Sequence, residues 1–128
     1  MSLAETTPTD RVSLEIPLDA AHILIARQFA RGVARSLALG EETAEALLLT
    51  LTEICSEAIE RRREGRIVIS VSSDTDPILV NVVATGLPSG EHHSNTTDVT
   101  YRRTLIKALV SEATFVEEQD RLTVMFTL

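Results

Sequence analysis

The chain of 128 residues has few of the residues on which many binding and catalytic sites depend. It has no tryptophan and only 3% aromatic residues, so a surface that stacks nucleic-acid bases is not expected. Its single cysteine, Cys55, excludes an intrachain disulfide and a cysteine-rich metal site. Only 12 Lys and Arg stand against 19 Asp and Glu, giving a net charge of −7, which argues against binding to a nucleic-acid backbone.

Long apolar runs are also missing. No stretch approaches the ~18 apolar residues of a membrane span, and residues 1–10 are polar and acidic with no apolar run behind them, so no signal peptide is expected. The expected compartment is therefore the cytoplasm. Residues 1–11 are predicted to form a flexible tail, because they combine Pro and Thr with little hydrophobicity, and residues 12–128 a single domain.

Hydrophobic periodicity in the first half predicts one strand and two helices. Val12 to Ile16 alternates as a strand does, and Asp19 is expected to cap a helix that reaches about Leu39, just before Gly40. A second helix is predicted from Glu41 to Arg63. The predicted core face of the first helix consists of larger apolar residues with two alanines nearby: Ile25, Phe29, Val33 and Leu37, with Ala21 and Ala26.

The second half changes to the alternation of strands. The predicted elements are two strands at 67–72 and 78–84, a loop at 85–97, a helix from about Val99 to Ser111, and a closing hairpin at 114–117 and 121–127. This order predicts an α+β fold, a two-layer sandwich with three helices on one face of a mixed, mostly antiparallel sheet.

The second helix carries the most informative polar face. Glu53 and Glu57 are spaced i, i+4 and project together, and like charges at this spacing cost about 0.2–0.5 kcal/mol when unpaired. One interpretation is a carboxylate pair that works as a general base and a metal ligand. The other is a solvated face on which Arg61, one turn later, balances Glu57.

The segment from Leu51 to Ile59, LTEICSEAI, resembles the N-box helix of the anti-sigma-factor serine kinases. These kinases belong to the histidine-kinase/Hsp90-like (GHKL) ATPase superfamily, whose fold is called the Bergerat fold. The resemblance extends over about residues 12–128 and implies that fold for this chain. It is supported by Ala26, Arg27 and Phe29 in the first helix, by the LGEE turn at 39–42, by the strand ending VVATG at 82–86, and by the order of elements.

The resemblance implies roles for particular residues. Glu53 matches the family's catalytic Glu, which acts as a base or orients water, and Glu57 stands where an Asn holds Mg²⁺. The string ATGLP at 84–88 stands where the family has Asp-x-Gly-x-Gly: Gly86 matches the first Gly, Ala84 replaces the Asp that binds the adenine amino group, and Pro88 replaces the second Gly. In the family, a glycine segment opens the last helix and wraps the phosphates. Its place in this chain is taken by Arg102, Arg103 and Thr104.

These replacements remove the atoms on which nucleotide binding depends. An alanine cannot accept the adenine hydrogen bond, and side chains at the glycine positions keep the backbone away from phosphates. We therefore expect no cofactor, with ATP and Mg²⁺ bound only if the family's activity is retained.

The resemblance implies a regulatory domain that binds a protein partner, either a sigma factor or a STAS-type anti-anti-sigma factor, and that forms homodimers. No nucleic-acid or membrane partner is expected. Two alternatives stay open: a divergent ATP-dependent protein serine kinase that uses Glu53 and Glu57, and an accessory domain that binds a small ligand.

Three further features each have two interpretations. Arg102 and Arg103 could both point to solvent, or at least one could reach Glu53 or Glu57 and occupy the space of the phosphates. His92 and His93, with Glu91 or Asp98, could hold a metal ion or lie in a solvated loop. Cys55 could be a reactive thiol, but its position on the apolar stripe favours a buried small side chain.

Overall fold

The computed structural model describes residues 11–61, 64–86 and 96–128. The predicted tail lies outside these ranges except for Arg11, which is the first residue of a strand rather than the last of the tail. The elements, in chain order, are β1 (Arg11–Pro17), a 3₁₀ turn (Ala20–His22), α1 (Ile23–Ser36), α2 (Glu41–Arg61), β2 (Arg66–Ser72), β3 (Leu79–Thr85), α3 (Thr96–Leu109), β4 (Ser111–Glu118) and β5 (Arg121–Thr127).

The five strands form one sheet in the order β1-β2-β3-β5-β4, and each neighbouring pair is antiparallel. The prediction of an α+β fold is confirmed, but the prediction of a mixed sheet is wrong for the strands that the structure describes. A parallel pair requires a crossover connection, commonly a single helix, between adjacent strands. Here two helices separate β1 from β2, and β4 intervenes between α3 and β5, so each adjacent pair runs in opposite directions.

One face of the sheet supplies about half of the residues of the hydrophobic core. Alternate residues of its three central strands are buried: Ile67, Ile69 and Val71 in β2, Val80, Val82 and Ala84 in β3, and Leu122, Val124 and Phe126 in β5. The helices contribute Leu47, Leu51, Ile54 and Ile106 to the same core. The five-stranded sheet and three helices are compatible with a two-layer sandwich.

The predicted core face of the first helix is confirmed for Ala26 and Val33, with Phe29 and Leu37 packed against the core, but it is wrong for Ile25, and the helix ends earlier than predicted. Its buried residues are Ala26, Ala30, Val33 and Ala34, whereas Ile25 is 44% exposed. The stripe of small residues explains the difference, because alanines at i, i+4 and i+8 allow a neighbouring helix to approach closely. The helix ends at Ser36, and Ala38, not Gly40, adopts the left-handed conformation, with φ of 55°.

The second helix begins at Glu41 as predicted. The third begins at Thr96, three residues before its predicted start, which changes the position of its arginines relative to its N-terminus. In the part of the chain that the structure describes, no helix has the length and apolar character needed to cross a membrane.

Candidate functional site

Arg102 of α3 contacts the polar face of α2. Its Nε donates to Glu53 Oε1 at 2.9 Å, and its Nη1 donates to Glu60 Oε1 at 3.2 Å. Glu53 and Glu60 lie two turns apart on α2, so a single guanidinium bridges both. The carboxylate of Glu53 is thereby engaged by a cation.

Arg103 binds the carboxylate of Glu57, which is more buried than that of Glu53. Its Nη2 donates to Glu57 Oε2 at 2.5 Å and its Nε to Glu57 Oε1 at 3.4 Å, so the pair is bidentate. Glu57 is only 2% exposed. Both predicted arginines therefore reach the predicted glutamates: the hypothesis of an Arg–Glu contact is confirmed, and the interpretation in which both arginines point to solvent is wrong.

The cluster extends to strand β4 through Glu117. Glu117 Oε2 accepts from Arg103 Nη2 at 2.9 Å, and its Oε1 accepts from Arg61 Nη2 at 3.0 Å. Arg61 Nη1 also lies 3.9 Å from Glu57 Oε2. We call this cluster the α2–α3 ion network; its members are Glu53, Glu57, Glu60, Arg61, Arg102, Arg103 and Glu117.

Two members, Glu60 and Glu117, were not identified from the sequence as site residues. Glu117 pairs across the sheet with Leu122, whose side chain is in the core, so it occupies a core-facing position of β4. The sequence held one indication of this position: Glu117 lies two residues after Phe115 on the same strand, and side chains two residues apart point to the same face of a sheet. Glu60 could have been found from its i, i+7 spacing to Glu53.

The electrostatics of the network favour the charged forms of its groups. Burial lowers the pKa of Arg103, but hydrogen bonds and charges from Glu57 and Glu117 outweigh it, so that pKa is raised. Burial raises the pKa of Glu117, but the Arg103 hydrogen bond and the Arg61 charge outweigh this, so the pKa lies below its ordinary value. The Arg103 guanidinium also lies 4.7 Å from the centre of the Phe115 ring, a cation–π contact.

The segment expected to open the last helix instead lies within it. Arg102 to Thr104 are the seventh to ninth residues of α3, counted from Thr96. Backbone N–H groups beyond the first turn of a helix are bonded within it, so they are not free to bind phosphate oxygens. The prediction that Arg102 and Arg103 stand at the start of this helix is therefore wrong.

Ala84 and Gly86 have structural explanations that involve no nucleotide. Ala84 is 1% exposed and pairs with Ile67 and Leu122 in the core. Gly86 has φ of 85°, and a Cβ added there would lie 2.5 Å from the carbonyl oxygen of Glu64. Glycine is thus required at this position by a close backbone approach.

The residues that the resemblance assigns to Mg²⁺ and ATP make other contacts among the described residues. Both carboxylates that would serve as base and metal ligand are hydrogen-bonded to arginines, and the position of the adenine-binding Asp holds a buried methyl group. Among residues 11–61, 64–86 and 96–128, no group of three or more His, Cys, Asp or Glu is placed to hold a metal ion. The predicted pair His92 and His93 lies outside the described residues.

Cys55 is fully buried in the core, as the apolar stripe of α2 predicts. Burial raises the pKa of its thiol to about 12, so the nucleophilic thiolate form is disfavoured. The interpretation as a reactive thiol is not supported.

Comparison with known proteins yields no matching family model and no matching curated sequence. The functional interpretation therefore depends on the geometry of this site and on the resemblance of its motifs.

Proposed function

We propose that this chain is a regulatory protein-binding domain of the anti-sigma-factor serine kinase type that does not bind ATP in the usual way. It acts on a sigma factor or on a STAS-type antagonist through protein contacts. The observation that carries the proposal is the α2–α3 ion network, in which arginines neutralise the two glutamates at the family's base and metal-ligand positions.

The network accounts for both carboxylates without a metal ion. A carboxylate that is 2% exposed requires a compensating charge, which Mg²⁺ supplies in a nucleotide site. Here the charge comes from Arg103, with Arg61 nearby. Each of the two glutamates therefore has a cationic partner within the chain.

The same contacts argue against phosphoryl transfer. A general base must be free to accept a proton from the nucleophile, and Glu53 is hydrogen-bonded to a guanidinium. A carboxylate that holds Mg²⁺ must likewise be free to bind it, and Glu57 is hydrogen-bonded to Arg103. Protein binding is the family activity that requires neither step.

Isothermal titration of the chain with sigma factors and STAS-domain proteins encoded beside its gene tests the proposal. We expect one of them to bind in the absence of nucleotide, with an affinity that Mg-ATP leaves unchanged. Binding that requires Mg-ATP, or phosphate transfer from ATP to a serine of the STAS protein, would overturn the proposal and support the divergent kinase instead.

A further inference from the structure

Strand β1 is an open edge of the sheet. Among the strands that the structure describes, β1 stands first in the order and pairs with β2 alone, from Arg11 opposite Ser72 to Pro17 opposite Arg66. In an antiparallel pair, alternate residues bond to the neighbouring strand, so the others direct their N–H and C=O groups to the outer edge. Such an edge can pair with a further extended segment.

An apolar cavity of about 210 Å³ lies between β1 and helix α1. Val12 and Val71, which are opposite each other in the sheet, line it from below, and Phe29, Val33 and Leu37 line it from α1. Val12 is 49% exposed, so the cavity is open toward the edge of the sheet. Cavities of about 150 Å³ hold a benzene-sized group, so this one has room for an apolar side chain.

Gly32 leaves the α1 side of this cavity unfilled. It lines the cavity from within the helix, and a Cβ added there would have no atom within 4 Å. Glycine within a helix is less favourable than alanine, so helix stability does not explain its presence. The space beside it is available to a group from outside the chain.

The charges beside this edge complement an acidic segment. Glu15 of β1 is paired with Arg66, whereas Arg11 has no acidic group within 4.0 Å among the described residues. The same is true of Arg35, which lies three residues after Gly32 and is therefore its neighbour on the helix surface. α1 has no acidic residue, although the chain as a whole has a net charge of −7.

A strand added to β1 would meet both the cavity and the charge. Directly opposed residues of paired strands have their side chains on the same face of the sheet. The residue opposite Val12 would therefore point into the cavity, and the residue opposite Arg11 would lie on the other face, beside the guanidinium. A segment that alternates apolar and acidic residues satisfies both positions.

From this juxtaposition we propose that β1 and α1 form a docking groove for an extended acidic peptide, which adds a strand to the sheet and places an apolar side chain in the cavity. We call it the β1–α1 groove, and its members are Arg11, Val12, Phe29, Gly32 and Arg35. The inference goes beyond the proposed function, because it uses no residue of the α2–α3 ion network and requires neither a sigma factor nor a STAS protein.

Fluorescence anisotropy with the full chain tests this groove, using a labelled eight-residue peptide that alternates Leu and Glu. We expect saturable binding to the wild type. A peptide with Ser in place of Leu should bind at least about tenfold more weakly, because nothing apolar enters the cavity. A peptide with Lys in place of Glu should also bind about tenfold more weakly, although the net charge of the chain attracts it.

Backbone pairing has a separate signature. In a strand, the N–H groups of alternate residues point to opposite edges, so only one of the two sets, those of Leu or those of Glu, faces β1. N-methylation of one set should therefore abolish binding, and N-methylation of the other set should be tolerated.

Two variants locate the peptide on the chain. Gly32→Leu fills the cavity and Arg11→Glu reverses the charge beside it, and each should weaken binding of the acidic peptide about tenfold. The Lys peptide should bind Arg11→Glu more tightly than it binds the wild type. The controls Ala108→Leu and Arg121→Glu make the same kinds of change at exposed positions of α3 and β5 and should bind as the wild type does.

Circular dichroism checks that each variant is folded. Should Gly32→Leu fail to fold, Val12→Asp, which places a charge at the exposed mouth of the cavity, should weaken binding in its place. An acidic peptide that does not bind, equal effects of the two N-methylations, or groove variants that bind like the wild type would each overturn the proposal. Self-association of the wild type through β1 that the peptide does not displace would also overturn it, because a second copy would then occupy the edge.

Discussion

Breaking the Arg103–Glu57 pair should destabilise the fold well beyond what an exposed ion pair contributes. In Arg103→Met the aliphatic part of the side chain is kept and the charge is lost, so Glu57, 2% exposed, loses its bidentate partner. Stranding one member of a buried pair costs about 3–5 kcal/mol. Arg61 Nη1 lies 3.9 Å from Glu57 and the Arg103 side chain is 21% exposed, so we expect a lower loss, about 2–3 kcal/mol.

A double-mutant cycle separates this pair from the other contacts of Arg103. Arg103→Met also removes the contact with Phe115 and the bond to Glu117, and both losses occur whether or not position 57 is charged. Replacing both partners, with Glu57→Leu as the second substitution, leaves no stranded charge and should cost less than the two single changes together. We expect a coupling energy of about 2 kcal/mol from urea unfolding at pH 7.

The matched control is the same cycle on Arg66 and Glu15, an ion pair between neighbouring strands whose side chains are 53% and 54% exposed. Its coupling energy should be below about 1 kcal/mol. Equal coupling energies for the two pairs would refute the reasoning, because burial of Glu57 would then add nothing to the pair's contribution.

Three further predictions concern single residues. The pKa of Glu117 lies below its ordinary value of 4.5, because the Arg103 hydrogen bond and the Arg61 charge outweigh burial, which raises it. Its stabilising contribution is therefore present above about pH 4.5 and is lost as the pH falls through the lowered pKa. The unfolding free energy of the wild type should fall more steeply from pH 5 to 3 than that of Glu117→Gln. Parallel curves for the two proteins would contradict this. Gly86→Ala should lower the free energy of unfolding in urea by about 2–4 kcal/mol, because its Cβ would lie 2.5 Å from a backbone oxygen. Gly32→Ala, whose Cβ would have nothing within 4 Å, should be neutral or stabilising. Equal effects of the two substitutions would refute the close approach at Gly86. Cys55 should be unreactive toward a thiol-specific disulfide reagent in the native protein and react once the chain is unfolded in urea; rapid native labelling would show that the thiol is accessible.

The secondary structure could be predicted where the apolar pattern was long and regular. The strands around Ile69 and Val82 and the helix beginning at Glu41 follow directly from their periodicity. Hydrophobicity predicted Val33 correctly as a core residue of α1, but it missed Ala30 and wrongly included the larger Ile25. A scale that rewards large apolar side chains gives a small core residue too little weight.

The candidate site was only partly accessible to sequence reasoning. Helical spacing placed Glu53 and Glu57 on one face, and the motif resemblance brought the arginines near them. The contribution of Glu117 depends on strand pairing between residues far apart in the chain, which no local pattern encodes. The position of Arg102 within α3 depended on the exact start of a helix, and boundaries are the least certain part of such a prediction.

Thermal unfolding of the wild-type chain with and without millimolar Mg-ATP tests most directly whether arginines have replaced the nucleotide at this site. A ligand present at 100 times its dissociation constant would stabilise the fold by about 2.7 kcal/mol, which a protein of this size shows as a rise of several degrees in Tm. The account predicts the same Tm with Mg-ATP, with AMP and with buffer, and predicts that Glu57→Asn alone does not create a response. A clear rise in Tm with Mg-ATP but not with AMP would contradict it.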